Sequence, residues 1–156
     1  MSGLKHADNF RDLIVYQKSR QLQREIYKLT KSFPKEEIYS LTDQIRRSSR
    51  SIGANISEAW AKRRYEKHFV SKLTDADGEQ METQHWIETA LECKYIDHKI
   101  NAQLMDKCLE VGRMLGGMME KAEMFCGEPP RTLREETAIY FVESGDEENP
   151  GDSTDH

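Results

Sequence analysis

Four runs of apolar residues, recurring at alternating steps of about four and three, constrain this chain more than any other feature of its sequence. The first is Val15, Ser19, Leu22, Ile26 and Leu29, and the second is Ile38, Leu41, Ile45, Ser48 or Ser49, Ile52, Ile56 and Ala59. The third is Phe69, Leu73, Ala76, Gln80, Gln84, Ile87 and Leu91, and the fourth is Ile100, Leu104, Cys108, Val111, Leu115, Met118 and Ala122. Steps of that size return a side chain to the same side of an α-helix, and none of the runs alternates with a strand's period of two. The runs are separated by "SFPKEE" around Pro34, "KRRYEKH" around Arg64 and "KYIDHK" around Ile96. Pro34 has a fixed φ and no N–H and so marks a helix boundary, Glu36 and Glu37 suit the positive end of the next helix, and Asp8 or Asn9 can cap the first. Four helices of about 25 residues, each about 38 Å long and joined by short connections, predict an all-α protein: an antiparallel up-down-up-down four-helix bundle. The bundle is expected over residues 10–126, after an N-terminal extension of residues 1–9.

Beyond Cys126 the composition changes to "GEPPRTLREETAIYFVESGDEENPGDSTDH", with nine acidic residues against two basic. An acidic stretch rich in Pro and Gly cannot bury enough surface to fold alone, so residues 127–156 are expected to be a mostly disordered acidic tail. Its one apolar run, "AIYFVE" at residues 138–143, can add a strand to a partner protein, dock on its own bundle, or collapse without a role. Removing the tail from the count leaves a slightly basic body, and residues 35–72 carry nine basic residues against five acidic. A basic face attracts phosphates, and an acidic tail can screen it or contact a partner protein. No stretch approaches the roughly 20 apolar residues of a membrane span, and the polar start "MSGLKHADNF" lacks the apolar core of a secretory signal, so a cytoplasmic chain without membrane contact is expected. Cys93, Cys108 and Cys126 show no metal-binding spacing and read as idle or buried thiols.

The basic segment holds the candidate binding residues. With Ile45 at the centre of the buried stripe and about 100° per residue, Arg46 and Arg50 fall about 100° and 140° away, on one flank, and Arg47 near 200°, opposite the core. Arg46 and Arg50 can grip a phosphate together or bridge to carboxylates on a neighbouring helix or subunit, and for Arg46 and Arg47 pairing within or between subunits, nucleic-acid contact and plain solvent exposure all remain open. Lys62, Arg63, Arg64 and Lys67 form a second cluster at a helix end, flanked by Trp60 and Tyr65. Trp60 lies about 60° from the stripe, an angle that suits packing within the bundle or between subunits.

The third run is oddly polar where it should be buried. Asp77, Gln80 and Gln84 lie within about 40° of its centre at Leu73. Antiparallel pairing about the three turns brings Ser19, Ser48 or Ser49, Gln80 and Gly112 to one height. A small polar waist follows, whose groups must be hydrogen-bonded, and which can fix register or hold something bound. Gly112 and Gly116 would let another backbone approach closely and are candidate oligomer contacts together with Trp60.

Catalytic chemistry is not indicated. "ETQH" sets Glu82 and His85 one turn apart, like half of a di-iron site, but such a site needs two such pairs with two further glutamates. Both residues also fall on the side away from the apolar stripe. "DAD", with Asp75 and Asp77 on different faces, is no metal cage, and no phosphate loop or activated nucleophile appears. No enzyme, no metal and no cofactor are expected.

The segments "DLIVYQKSRQLQREIYKLTKSFPKEEIYSLTDQIRRSSRSIGANISEAW" and "GEQMETQHWIETALECKYI" closely resemble the four-helix-bundle proteins named for intervening sequences in 23S ribosomal RNA genes. The ordered set Tyr39, Leu41, Gln44, Ile45, Arg46, Arg47, Ser51, Ile52, Asn55, Ile56 and Glu58 carries the resemblance. It implies an antiparallel bundle assembled as a ring of five, without enzymatic activity. It also points to relatives that are accessory variability determinant proteins of diversity-generating retroelements, where a basic surface contacts nucleic acid and the reverse transcriptase. The polar middle of the third helix and the acidic tail depart from the family pattern. The resulting expectation is a homopentameric scaffold that binds RNA or DNA, structured RNA first, with a protein-interaction adaptor as the alternative.

Overall fold

The computed structural model describes residues 8–127, and the tail with its run at 138–143 lies outside them. Four helices follow one another: α1 (Ile14–Thr30), α2 (Asp43–Ala61), α3 (Glu66–Glu92) and α4 (His98–Glu120). Contacts that move up one helix move down the next. Between α1 and α2, Ser19 lies by Gly53 and Thr30 by Arg46; between α2 and α3, Arg47 meets Glu82 and Glu58 meets Lys72. Between α3 and α4, Thr74 donates to Met119 and Gln80 meets Gly112, and α4 closes on α1 through Lys107 with Glu25 and Lys18 with Glu110. The result is the antiparallel up-down-up-down bundle that the four stripes predict. No helix among the described residues is long and apolar enough to cross a membrane.

The buried positions of α3 are Phe69, Leu73, Ala76, Gln80, Thr83, Ile87 and Ala90. Those of α4 are Leu104, Cys108, Val111, Leu115 and Met118. Both alternate strictly by four and three, an average period of 3.5 that keeps one seam facing the partner helices over a long, slightly supercoiled contact. For that reason Thr83 and Ala90 are buried where a straight helix would place Gln84 and Leu91, which are half-buried.

Local chemistry explains where the helices begin and end. Asn9 accepts from Arg11 N while Asp12 accepts from Asn9 N, which caps a 3₁₀ turn at Phe10–Asp12 before α1 starts. Between α1 and α2 the chain winds as a 3₁₀ turn (Lys35–Glu37) and then a π turn (Ile38–Thr42). Glu37 pins this irregular stretch: its carboxylate accepts from Leu41 N, Ser40 Oγ and Tyr95 Oη. The wider π turn breaks the phase of the second stripe, so Ile38, expected to be buried, is 50% exposed, and Tyr39 is 90% exposed. At the α3–α4 turn, Lys94 takes φ 61 and Tyr95 N bonds back to Ala90 O, the left-handed helix ending usually assigned to glycine; Asp97 then caps α4 through Ile100 N.

The polar waist is buried and satisfied internally. Thr83 Oγ1 donates to Ser48 Oγ at 2.9 Å, Ser49 donates to Arg46 O, and Ser19 donates to Tyr16 O. Gln84 Nε2 donates to Gln80 Oε1 at 2.7 Å, and Gln80 Nε2 donates to Asp77 Oδ1 at 3.0 Å. Ser19, Ser48, Ser49 and Gln80 are buried, and Asp77 and Gln84 half-buried. The waist is not one layer, however. Ser48 faces Thr83, and Ser19 faces Gly53, about 7.5 Å along α2 from Ser48. The 3₁₀ and π windings centre the α1–α2 turn past Pro34, which slides α1 along α2.

Gly112 is what lets Gln80 fit: a Cβ there would stand 2.8 Å from Gln80 Nε2 and 3.4 Å from Asp77 Oδ1. Gly112→Ala should therefore fail to gain the usual helix propensity of about 1 kcal/mol and should destabilise the fold. In a Gln80→Ala background the same change should stabilise, and chemical denaturation of the four variants reads the difference in sign. At Gly116 nothing stands within 4 Å. Gly116→Ala should thus stabilise by up to about 1 kcal/mol; a variant that melts lower and loses assembly mass would instead place Gly116 in a subunit contact.

Candidate functional site

Arg20, Arg24 and Tyr27 on α1 and Lys31 at its C-cap follow at steps of four, three and four, which sets them along one side of the helix, away from the stripe at Leu22 and Ile26. Arg46 and Arg50 approach the same side from α2. The Tyr27 ring collects the cations: Lys31 Nζ lies 4.8 Å from its centroid, the Arg46 guanidinium 4.9 Å and that of Arg50 5.7 Å. The negative face of an aromatic ring attracts each cation, so Tyr27 holds together charges that repel one another. Arg46 is fixed further by a 2.8 Å hydrogen bond from Nε to Thr30 Oγ1. Among the described residues no carboxylate lies within 4 Å of Arg20, Arg24, Lys31, Arg46 or Arg50. Among the described residues, Arg46 and Arg50 therefore make no carboxylate bridge.

Arg47 behaves differently from its neighbours. Its Nη2 donates to both Glu82 oxygens at 2.8 Å, and its Nη1 lies 3.7 Å from Glu79 Oε1. The helical angle placed Arg47 and Glu82 facing away from their cores, but both side chains are long enough to fold back over the α2–α3 seam. Arg47 is accordingly not part of the face around Tyr27. His85, the partner of Glu82 in "ETQH", packs edge-on against Trp86 at 4.6 Å.

The second expected cluster sits at the other end of α2. Arg63 stacks on Trp60 at 3.5 Å from the ring and donates from Nε to Trp60 O, while Lys62, Arg64 and Lys67 are exposed. Trp60 is 9% exposed and belongs to the bundle's own core, which leaves its ring little surface for a subunit contact. From Arg50 to Lys62 is about 18 Å along the helix, so the two clusters are separate patches. Among the described residues no group of three or more His, Cys, Asp or Glu side chains is placed to hold a metal ion. Burial pushes the Cys108 thiol up to about 12, so it stays protonated and inert at neutral pH.

Tyr27, Lys31, Arg20 and Arg24 were not among the residues singled out from sequence. Their signal is the spacing of α1 on the side opposite its stripe, which lies outside the charge excess of residues 35–72.

A sequence model described as 23S rRNA-intervening sequence protein matches residues 11–117. Among solved structures, the chain is similar to a protein of unknown function from the S23 ribosomal protein family of Bacteroides thetaiotaomicron, with 29% identity and a TM-score of 0.62. That match covers 68% of this chain and 98% of the other. No curated protein matches.

The Arg47 cluster yields a pH test. Burial, and then the neighbouring Glu82, raise the pKa of Glu79 above the ordinary carboxylate value, and Glu79 Oε2 is buried with no hydrogen-bond partner. The folded chain thus holds this proton to higher pH than the unfolded chain, so the contribution of Glu79 to stability falls as pH rises through that window. Glu79→Gln imitates the protonated form. Its melting temperature should exceed that of the wild type at about pH 7, and the difference should vanish below about pH 4. Equal melting temperatures at neutral pH would contradict this account.

Proposed function

The chain belongs to the 23S rRNA-intervening sequence protein family, and we propose that it is a non-enzymatic, oligomeric scaffold that binds nucleic acid, structured RNA first, through its α1–α2 face. The observation that carries the reading is the Tyr27 ring with Lys31, Arg46 and Arg50 gathered about it and, among the described residues, no carboxylate beside them. Acidic neighbours occupy Lys18, Arg47, Lys72 and Lys107 elsewhere on this bundle, whereas the three cations that share the Tyr27 ring have none among the described residues. Cations left without them present free donors to phosphate oxygens. Such contacts position a backbone without reading its sequence.

Oligomerisation rests on the family resemblance and on the apolar groups that remain exposed: Ile38, Tyr39, Tyr65, Met81 and Leu109. A closed ring of five would cover a repeated heterologous contact without leaving an open edge. The same exposed groups favour a second reading, a protein-interaction adaptor in which Ile38 and Tyr39, projecting from the π turn, engage a partner protein.

Binding to a mixed pool of RNA and DNA, measured as a function of salt, separates the two. Lys31→Ser with Arg50→Ser should weaken binding and flatten the salt slope by about 0.7–0.9 for each phosphate that is no longer neutralised, with melting unchanged because both side chains are exposed. Lys62→Ser with Arg64→Ser and Lys67→Ser tests the other patch in the same way. An unaltered slope in the first variant would remove the α1–α2 face from consideration, and negligible binding of the wild type at low salt would leave the adaptor. Light scattering should give about five times the protomer mass of 18.2 kDa; the protomer mass itself at micromolar concentration would reject the ring.

A further inference from the structure

The α1–α4 seam is the loosest of the four helix pairs around the bundle, and a pocket of about 460 Å³ opens on it. Leu29, Ile100 and Leu104 give the pocket an apolar lining, and Gln103 and the Lys107–Glu25 ion pair complete its wall. Leu29 and Ile100 are only half-buried, so apolar surface faces outward there. Lys28 and Lys99, each next in sequence to a lining residue, are exposed and make no ion pair among the described residues. An occupant that fits would be short, apolar and flanked by acids.

The chain itself contains such a segment. "AIYFVE" at residues 138–143 is the apolar run of the tail, ending in Glu143, with Glu135 and Glu136 before it and Asp146, Glu147 and Glu148 after it. The described chain leaves the bundle just past α4, where Phe125 stacks on Phe69 at 5.9 Å. From Glu120 back to Leu104 is about 24 Å along α4. The residues from 127 to 138 reach up to about 36–40 Å when extended, which is enough to return to the pocket. An extended run would send Ile139 and Phe141 to the same side.

We propose that residues 138–143 dock in the α1–α4 pocket of their own chain, with Ile139 and Phe141 on Leu29, Ile100 and Leu104 and the flanking glutamates facing Lys28 and Lys99. The inference is independent of the nucleic-acid reading, since it concerns a different face and needs no added ligand.

Hydrogen exchange on the full chain tests it. Amides of residues 138–143 should exchange at least tenfold more slowly than an unstructured chain, at a rate that does not depend on protein concentration. Ile139→Asp with Phe141→Asp should abolish that protection and speed exchange in residues 25–30 of α1. Lys28→Glu with Lys99→Glu, both at exposed positions, should reduce the protection several-fold while leaving the melting temperature in place. Chain-like exchange in the wild type, or protection that the Asp pair leaves intact, would overturn the proposal. Protection that grows with concentration would do so in favour of a segment supplied by a second copy. Protection kept by the Lys28 and Lys99 variant but lost in Arg24→Ser with Arg50→Ser would do so in favour of the basic face.

Discussion

The hydrogen bond from Thr83 to Ser48, with the Gln80 amide lying against the Gly112 backbone, decides which residue of each helix faces which. Apolar seams that repeat every seven residues are nearly indifferent to a slide of one repeat, because Leu and Ile pack acceptably against one another in either register. Buried polar groups are not indifferent. A slide would break the Thr83–Ser48 hydrogen bond and press the Gln80 amide against a position other than Gly112, even though Ser48, Thr83 and Gln80 keep partners within their own helices. The polar waist therefore contributes more to the uniqueness of the fold than to its gross stability, the role a buried Asn plays in coiled coils. Gly112 is the complementary half of this device: the amide needs room, and only a residue without a side chain provides it.

Register then determines the surface. α1 is set against α2 by the irregular turn that Glu37 ties down, and its carboxylate is held below the ordinary range by hydrogen bonds from Ser40, Tyr95 and Leu41. The 3₁₀ and π windings shift α1 so that Thr30 and Tyr27 come opposite Arg46 and Arg50. Had residues 35–42 continued as a regular α-helix, the phase of α2 would differ and Ile38 would join the core. The same turn thus assembles the cation cluster and exposes Ile38 and Tyr39.

The architecture was legible in the sequence because it depends on periodicity, and periodicity survives in a single chain. Val15, Leu22, Ile45, Leu73 and Leu115 are buried where the stripes place them. The waist was legible for the same reason, since Gln80 interrupts a seam that should be apolar. What escaped was set by chain geometry that propensity does not report. Thr83 replaced Gln84 because α3 follows a 3.5 period over its length, and Ile38 emerged because of one π turn. Arg47 could not be assigned from its angle alone, since a guanidinium reaches several ångströms from its Cα and the partner, Glu82, belongs to another helix. Of the site, Arg46 and Arg50 were visible, whereas Tyr27 and Lys31 became part of it only once α1 and α2 were in register.

The cation face also has an energetic consequence within the free protein. Lys31, Arg46 and Arg50 share one aromatic ring, and no described carboxylate offsets their mutual repulsion. Tyr27 offsets part of it through cation–π attraction of about 0.5–1 kcal/mol each, and Thr30 occupies one of the five donors of Arg46, leaving four. The side chains are in this way ordered before any anion arrives, and the repulsion is already present in the unbound state. Under the proposed function, a phosphate at this face would relieve repulsion instead of imposing order, so a larger share of its Coulomb attraction would appear as affinity. A surface of paired charges, such as Arg47 with Glu82, would have to break its own contacts first.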